Sequence, residues 1–93
     1  MTTHNVYTLS NTGRTQITPN GIHSGMDITI QNVNDAGYIY VGGLDLTSTN
    51  YGYRILPNHA ISFELAGEDD LYLIAENNEM KAAVIEINLE GHN

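Results

Sequence analysis

Four histidines are the first residues in this 93-residue chain whose type could support chemistry. They are His4, His23, His59 and His92. No two of them form a His-x-His pair or lie at a helical spacing, so only the fold could bring their imidazoles together. This scatter is typical of exposed surface histidines rather than of ligands held in a defined geometry. The chain also lacks cysteine, which excludes disulfides and thiolate sites. We therefore expect no metal and no cofactor.

Carboxylates are densest at Glu68-Asp69-Asp70. This run lacks the alternating spacing that aims successive oxygens at calcium, so a solvated loop is favoured over a calcium site. His23 and Ser24 are adjacent, but strand neighbours point to opposite faces, and no Gly-x-Ser-x-Gly elbow surrounds the serine. No carboxylate pair lies in the apolar surroundings that acid–base catalysis needs. We expect no catalytic residues and no enzymatic activity.

The aromatic side chains are six tyrosines and one phenylalanine, without tryptophan. Tyr38 and Tyr40 share one face of a predicted strand, and Tyr51 and Tyr53 share a face if their segment is extended. Tyrosine joins a large apolar ring to a polar hydroxyl, which suits protein interfaces and sugar-stacking platforms. The alternative is that these rings close the edges of the core. The predicted protein-contact residues are Tyr38, Tyr40, Tyr51 and Tyr53.

The charge balance excludes two classes of partner. Eleven carboxylates outnumber the three basic residues Arg14, Arg54 and Lys81, which gives a formal net charge of −8. Nucleic acids and anionic membranes are bound by clustered Lys and Arg, and these three are scattered. No apolar run approaches the ~20 residues that span a bilayer, and residues 1–4 do not resemble a signal peptide. We expect no nucleic acid, no membrane, and synthesis in the cytoplasm.

Period-2 alternation interrupted by turn residues predicts an all-β domain. The clearest strand is Met26–Gln31, followed by Ile61–Leu65 and by a C-terminal segment whose apolar set is Ala83, Ile85, Ile87 and Leu89. Further strands with less sharply defined boundaries are predicted at Val6–Leu9, Arg14–Thr18, Tyr38–Val41, Gly52–Leu56 and Leu71–Ala75. Turn signals recur about every ten residues, as in sandwiches and small barrels. We expect a single domain, 1–93, folded as a small antiparallel β-sandwich or barrel of about seven or eight short strands, with 1–20 as an N-terminal arm or extra hairpin.

The segment 68–83 has a second interpretation as a helix. One helical face would carry Leu71, Ile74, Ala75 and Met80. The turn-forming pair Asn77-Asn78 interrupts that helix and favours a hairpin. Segments 25–43 and 59–75 also have the pattern of hairpins, so the chain is expected to run as a meander.

A series of motifs runs from residue 25 to 90. In order, they are Asp27–Asn32, Gly37-Tyr38-Ile39-Tyr40-Val41-Gly42-Gly43, the Thr-rich stretch 46–50, Tyr51-Gly52-Tyr53, Leu56-Pro57, Ala60–Leu65 and Leu71-Tyr72-Leu73-Ile74-Ala75. This order resembles the small accessory structural proteins of tailed bacteriophages, described as minor structural, head-fibre or decoration proteins. The resemblance implies a non-enzymatic virion component, present in many copies and bound to capsid or tail proteins. The net charge of −8 places the expected position on the outer surface, because a protein facing packaged DNA would need cations to neutralise the phosphates.

Three functions follow as hypotheses. The first is capsid decoration or cementing. The second is a carbohydrate-binding or host-surface-binding module on the particle that uses Tyr51, Tyr53 and the loop 47–50. The third is a small regulator that binds one host protein. A lone domain of this size buries limited surface, so we also expect a homo-oligomer, with a trimer as the leading arrangement.

Overall fold

The computed structural model describes residues 2–18, 25–67 and 69–88, and these residues form eight strands and no helix. The strands are β1 Thr2–Leu9, β2 Thr15–Gln16, β3 Met26–Asn32, β4 Ile39–Gly42, β5 Tyr53–Ile55, β6 Ala60–Leu65, β7 Tyr72–Ala75 and β8 Met80–Asn88. The predicted all-β class is confirmed, and every predicted strand segment overlaps one of these strands. Outside the described residues lie His23, Ser24, Glu68, Leu89 and His92.

The strands form two antiparallel four-stranded sheets. The long-strand sheet has the order β1-β8-β3-β6, and the short-strand sheet has the order β2-β7-β4-β5. Among the described strands, β4 and β5 are the one consecutive pair within a single sheet, and every other connection crosses between sheets. Eight strands with these orders are the arrangement of a jelly roll. The sandwich alternative is therefore the observed one.

The hairpin predicted for 68–83 is wrong, although both of its strands exist. β7 lies in the short-strand sheet and β8 in the long-strand sheet. The two ends of the β7–β8 connection bond to the start of the β1–β2 connection: Glu79 N donates to Leu9 O at 2.9 Å, and Ala75 N donates to Ser10 O at 3.1 Å. The meander and the hairpins predicted for 25–43 and 59–75 fail in the same way, because alternation fixes the face of a side chain but not the partner of its strand.

The main core lies between the two sheets. It takes its side chains from the inward positions of both sheets, which include Ile28, Ile30, Ile39, Val41, Ile55, Leu73, Ala75 and Val84. In β3 the buried positions alternate with the exposed or half-buried Asp27, Thr29 and Gln31, as predicted. Phe63 and Ile61 pack against this core from β6. Apolar burial of this kind supplies the main stabilisation of a chain without disulfides.

The apolar set predicted to be buried in the C-terminal strand lies on the outer face at its described members, Ala83, Ile85 and Ile87. Val84 is opposite Ile30 in the register, and Val84 and Ala82 are 3% and 0% exposed. Ile85 and Ile87 are 39% and 45% exposed on the outer face. Both alternating sets of β8 contain apolar residues, so the pattern of this strand alone did not identify the buried one.

Residues 2–16 contribute one strand to each sheet. β1 pairs with β8 along all eight of its residues, from Thr2↔Ile87 to Leu9↔Met80. β2 pairs with β7 through Thr15 and Gln16. Because β1 and β2 belong to different sheets, they form no hairpin with each other, and β1 is an edge strand of the long-strand sheet.

A buried amide at the end of β3 ties the sheets together. Asn32 is 0% exposed, and its Nδ2 donates to the carbonyls of Gly37 and Ile55, both at 3.0 Å. Its Oδ1 accepts hydrogen bonds from Asn34 N at 3.1 Å and Asn34 Nδ2 at 2.7 Å. All four hydrogen-bonding positions of this amide are thereby used. Asn34 extends the network to β8, since Lys81 N donates to Asn34 Oδ1 at 3.0 Å.

We expect Asn32→Asp to lower the free energy of unfolding by about 2–4 kcal/mol at pH 7, because it removes both amide donors and buries a carboxylate. Urea denaturation measures the change. Asn11→Asp is the matched control: it adds the same charge at an exposed position and is expected to shift stability by less than about 0.5 kcal/mol. Equal losses in the two variants would contradict the role given to Asn32.

Candidate functional site

The outer face of the short-strand sheet carries a second, smaller core, which we call the outer core. Ile39 and Val41 point inward from β4, so Tyr40 between them points outward. There it is buried with Leu46 and Ile74, and Tyr38 and Tyr72 pack against this group. Leu46 belongs to the polar stretch 45–50 in the connection between β4 and β5. Its side chain is 4% exposed because the loop folds back over the sheet.

Both arginines of the chain lie over tyrosine rings of this face. The Arg54 guanidinium is 4.5 Å from the ring centroid of Tyr38, and that of Arg14 is 5.1 Å from the centroid of Tyr72. Contacts of this length are cation–π interactions. The ring of Tyr51 lies against that of Tyr40, with centroids 4.6 Å apart and planes tilted by 33°. The aromatic residues therefore stabilise the face on which they lie.

The four predicted contact tyrosines occupy different environments. Tyr40 is 9% exposed and is covered, so its ring is not offered to a partner. Tyr38 is half-buried under Arg54. Tyr51 and Tyr53 are 42% and 47% exposed. They do not share a face, because Tyr53 is opposite the inward-facing Val41 whereas Tyr51 contacts the outward-facing Tyr40.

A cavity of about 350 Å³ opens beside Tyr51, within the loop between β4 and β5. Its lining residues are Asp45, Asn50 and Tyr51 together with three glycines and the apolar Leu44 and Leu46. The volume is within the range of small-molecule sites, which begins at about 300 Å³. This makes the loop a candidate binding site.

A second candidate lies on the opposite side of the sandwich, on the outer face of the long-strand sheet. Its apolar side chains, which we call the apolar patch, are Val6, Ala83, Ile85 and Ile87. Val6 is 66% exposed, and the register places it opposite Ala83 on the same face. The sequence interpretation missed this surface. The signal was present in β8, where two apolar sets alternate and one sandwich interior can bury only one of them.

The apolar patch contains a shallow depression of about 220 Å³. Val6, Ala83 and Ile85 contribute its apolar lining, and His4, Thr29 and Gln31 contribute polar groups. Neither β1 nor the outward positions 83, 85 and 87 of β8 carry a carboxylate, although the chain has a net charge of −8. The exposed Asp27 lies opposite Ile87 in the register and borders the patch at that end. The patch is therefore an apolar area without a carboxylate of its own on an acidic protein, which is typical of an interaction site.

The histidines and the acidic run of the sequence are the remaining candidates for a chemical site. His4 lies on β1, whereas His59 accompanies Pro57 in the β5–β6 connection, where its Nδ1 is 2.9 Å from the Pro57 carbonyl. Asp70 accepts a hydrogen bond from the hydroxyl of Thr18 at 3.0 Å. Within residues 2–18, 25–67 and 69–88, no group of three or more His, Asp or Glu side chains is arranged to hold a metal ion. In the same residues no helix has the length and apolarity to cross a bilayer.

Comparison with known protein families, with curated proteins and with solved structures finds no match to this chain. Function must therefore be argued from the two candidate surfaces and the topology.

Tyr40 provides a test of how the outer core is packed. Burial raises the pKa of Tyr40, and the carboxylate of Glu76 adds to the rise. The folded state thus favours the protonated hydroxyl. The contribution of the Tyr40 hydroxyl to the free energy of unfolding is complete below the ordinary pKa of about 10 and is lost as pH rises through the raised pKa. Tyr40→Phe removes this titration, so we expect the variant to lose less stability than the parent between about pH 9 and pH 12.

Urea denaturation at a series of pH values measures this difference. Tyr53→Phe is the control, since it removes a hydroxyl from an exposed ring and is expected to keep the alkaline loss of the parent. A Tyr40→Phe profile that coincides with the parent profile would show that the Tyr40 hydroxyl is not buried.

Proposed function

We propose that the protein is a non-enzymatic structural component of a bacteriophage particle, a capsid decoration or cementing protein that binds the virion lattice through the apolar patch. The observation that carries the proposal is the patch itself. Val6, Ile85 and Ile87 are β-branched aliphatic residues that the fold leaves in solvent. A protein partner that covers them gains roughly 25 cal/mol per Å² of apolar surface removed from water.

The shape and chemistry of the patch suit a protein partner. Interfaces concentrate their binding energy in a few central apolar contacts surrounded by polar groups. The depression has this arrangement, with Ala83 and Ile85 among its apolar residues and Thr29 and Gln31 among its polar ones. An apolar side chain of a lattice protein fits such a depression.

The topology supports the same function by analogy. Jelly rolls of eight strands are used by viral capsid proteins and by lectins. Fold does not imply function, so this likeness raises the expectation of a capsid or sugar-binding role without deciding between them. It agrees with the resemblance of residues 25–90 to phage accessory proteins.

The charge distribution supports an external position. Only three basic residues are present, and Arg14 and Arg54 already lie over tyrosine rings. A protein of net charge −8 facing packaged DNA would meet phosphates without cations to neutralise them. On the outside, its carboxylates face screening solvent. The proposed location is therefore the outer surface of the virion.

Self-association is part of the proposal, with a trimer as the leading arrangement. β1 is an eight-residue edge strand that contains no Asp, Glu, Lys, Arg or Pro. Those residues are the usual protection of an edge against pairing. The other sheet edges are better protected, since β6 carries Glu64, β5 carries Arg54 and β2 has two residues. β1 is thus the edge most open to another chain.

Threonine substitutions at three exposed aliphatic residues test the contact surface. Val6→Thr removes apolar character from the patch, and Val33→Thr makes the same change at an exposed site outside it. We expect Val6→Thr combined with Ile85→Thr to weaken attachment to purified particles that lack the protein by about tenfold or more, equivalent to about 1.4 kcal/mol. Co-sedimentation of added protein with the particles measures attachment, and Val33→Thr is expected to sediment like the parent.

Two outcomes would count against the proposal, and they differ in what they refute. Mass spectrometry of purified particles that finds no copies of the protein would refute a virion role. Val33→Thr and the double variant losing attachment equally would refute the apolar patch as the contact surface and leave the virion role standing.

A further inference from the structure

The loop between β4 and β5 is held in one shape by its own hydrogen bonds. The hydroxyl of Thr47 accepts from Asn50 N at 3.0 Å and from Thr49 N at 3.3 Å. Asn50 Nδ2 donates to the Asp45 carbonyl at 3.3 Å, and Thr47 N donates to the Asn50 carbonyl at 2.9 Å. The loop is also anchored at both ends of its path. Leu46 is buried in the outer core, and Tyr51 lies on Tyr40. Little ordering is therefore needed for this loop to bind a ligand.

The cavity beside this loop is open to solvent, and both polar and apolar residues line it. The ring of Tyr51 is 42% exposed and offers an aromatic surface, while the exposed Asp45 contributes a carboxylate. Gly43 adds backbone without a side chain, and a Cβ at this position would meet no atom within 4 Å. The cavity therefore brings together an aromatic surface, a charged acceptor, an amide and accessible backbone.

We propose that this cavity binds the terminal residue of a neutral saccharide. A carboxylate accepts hydrogen bonds from sugar hydroxyls, and charge-assisted bonds of this kind are about twice as strong as neutral ones. The amide of Asn50 supplies a donor and an acceptor, and sugar C–H groups pack on the ring of Tyr51. A cavity of about 350 Å³ suits a small polyhydroxylated ligand better than an extended peptide.

The charges near the cavity select a neutral sugar. Asp45 is part of the lining, and the whole chain carries −8, so phosphorylated or carboxylated sugars are repelled. A divalent cation is a poor alternative, because calcium requires six to eight oxygen ligands and Asp45 is the one carboxylate of the lining. An uncharged sugar is not repelled by these carboxylates, and its hydroxyl groups need no further carboxylate for binding.

The position of the cavity is compatible with attachment of the protein to a particle. Saccharide binding in the cavity does not depend on that attachment. Tyr51 contacts the outer face of the short-strand sheet, whereas the apolar patch lies on the outer face of the other sheet. The two surfaces therefore point away from each other. A protein attached through the apolar patch would present the cavity to solvent.

Amide chemical-shift titrations of the isolated protein test this inference. The probes are the methyl α-glycosides of glucose, mannose and galactose, and N-acetylglucosamine, each added to about 50 mM, well above the roughly millimolar dissociation constants expected for a small neutral ligand. We expect at least one of them to shift the amides of Gly43, Asn50 and Gly52. Asp45→Asn is expected to weaken that binding about tenfold or more, and Tyr51→Ala to weaken it by a similar factor.

Two matched variants serve as controls. Asp27→Asn removes one carboxylate on the opposite side of the sandwich, and Tyr53→Ala removes an exposed ring outside the cavity. Both are expected to bind like the parent. Asp45 is exposed, so Asp45→Asn leaves the fold intact even if Tyr51→Ala loosens the outer core.

The inference is overturned if none of the four probes shifts these amides. It is also overturned if the shifts persist unchanged in Asp45→Asn, or if glucose 6-phosphate binds more tightly than the neutral probes. None of these results bears on attachment to particles, so the cavity and the virion role fail independently.

Discussion

The buried amide of Asn32 joins the two sheets at the end where four of the strand connections meet. It binds the carbonyls of Gly37 and Ile55, which lie at the β3–β4 connection and in β5, and it orients Asn34, which bonds to the backbone of β8. Because each of these four connections crosses between sheets, the loops at this end must satisfy one another's backbone groups, and a fully used amide does this in the interior. Asn32 thus links the two sheets at this end of the sandwich, whose outer faces lie on separate sides.

That separation gives a small domain two unlike surfaces. On the long-strand sheet, Val6, Ile85 and Ile87 remain exposed. On the short-strand sheet, the equivalent outward positions are covered because Leu46 and Tyr51 fold back over Tyr40. One side is therefore apolar and uncovered, whereas the other is covered by a loop that has an open cavity of mixed polarity beside it. A protein that attaches by one side and presents the other needs this asymmetry, and the sandwich supplies it within a single short chain.

The sequence predicted the strands well and their arrangement poorly, for physical reasons. The alternation in Met26–Ile30 and the turn residues between the strands are local signals, and the strands that they predicted are confirmed. Pairing partners are long-range, so a pattern that fits a meander fits a jelly roll equally. In β8 both faces are apolar, so only contact with Ile30 shows that Val84 is the buried one. Tyr40 is buried in part by Leu46, a leucine in a polar stretch, and such a stretch carries no sign that it folds back.

Cryo-electron microscopy of purified particles tests the central claim most directly, namely that the protein attaches to a virion by the apolar patch. We expect jelly-roll density on the outer surface, with Val6 and Ile85 against the lattice and the loop of Asp45 toward solvent. Density on the inner surface, or density with the short-strand sheet against the lattice, would contradict it.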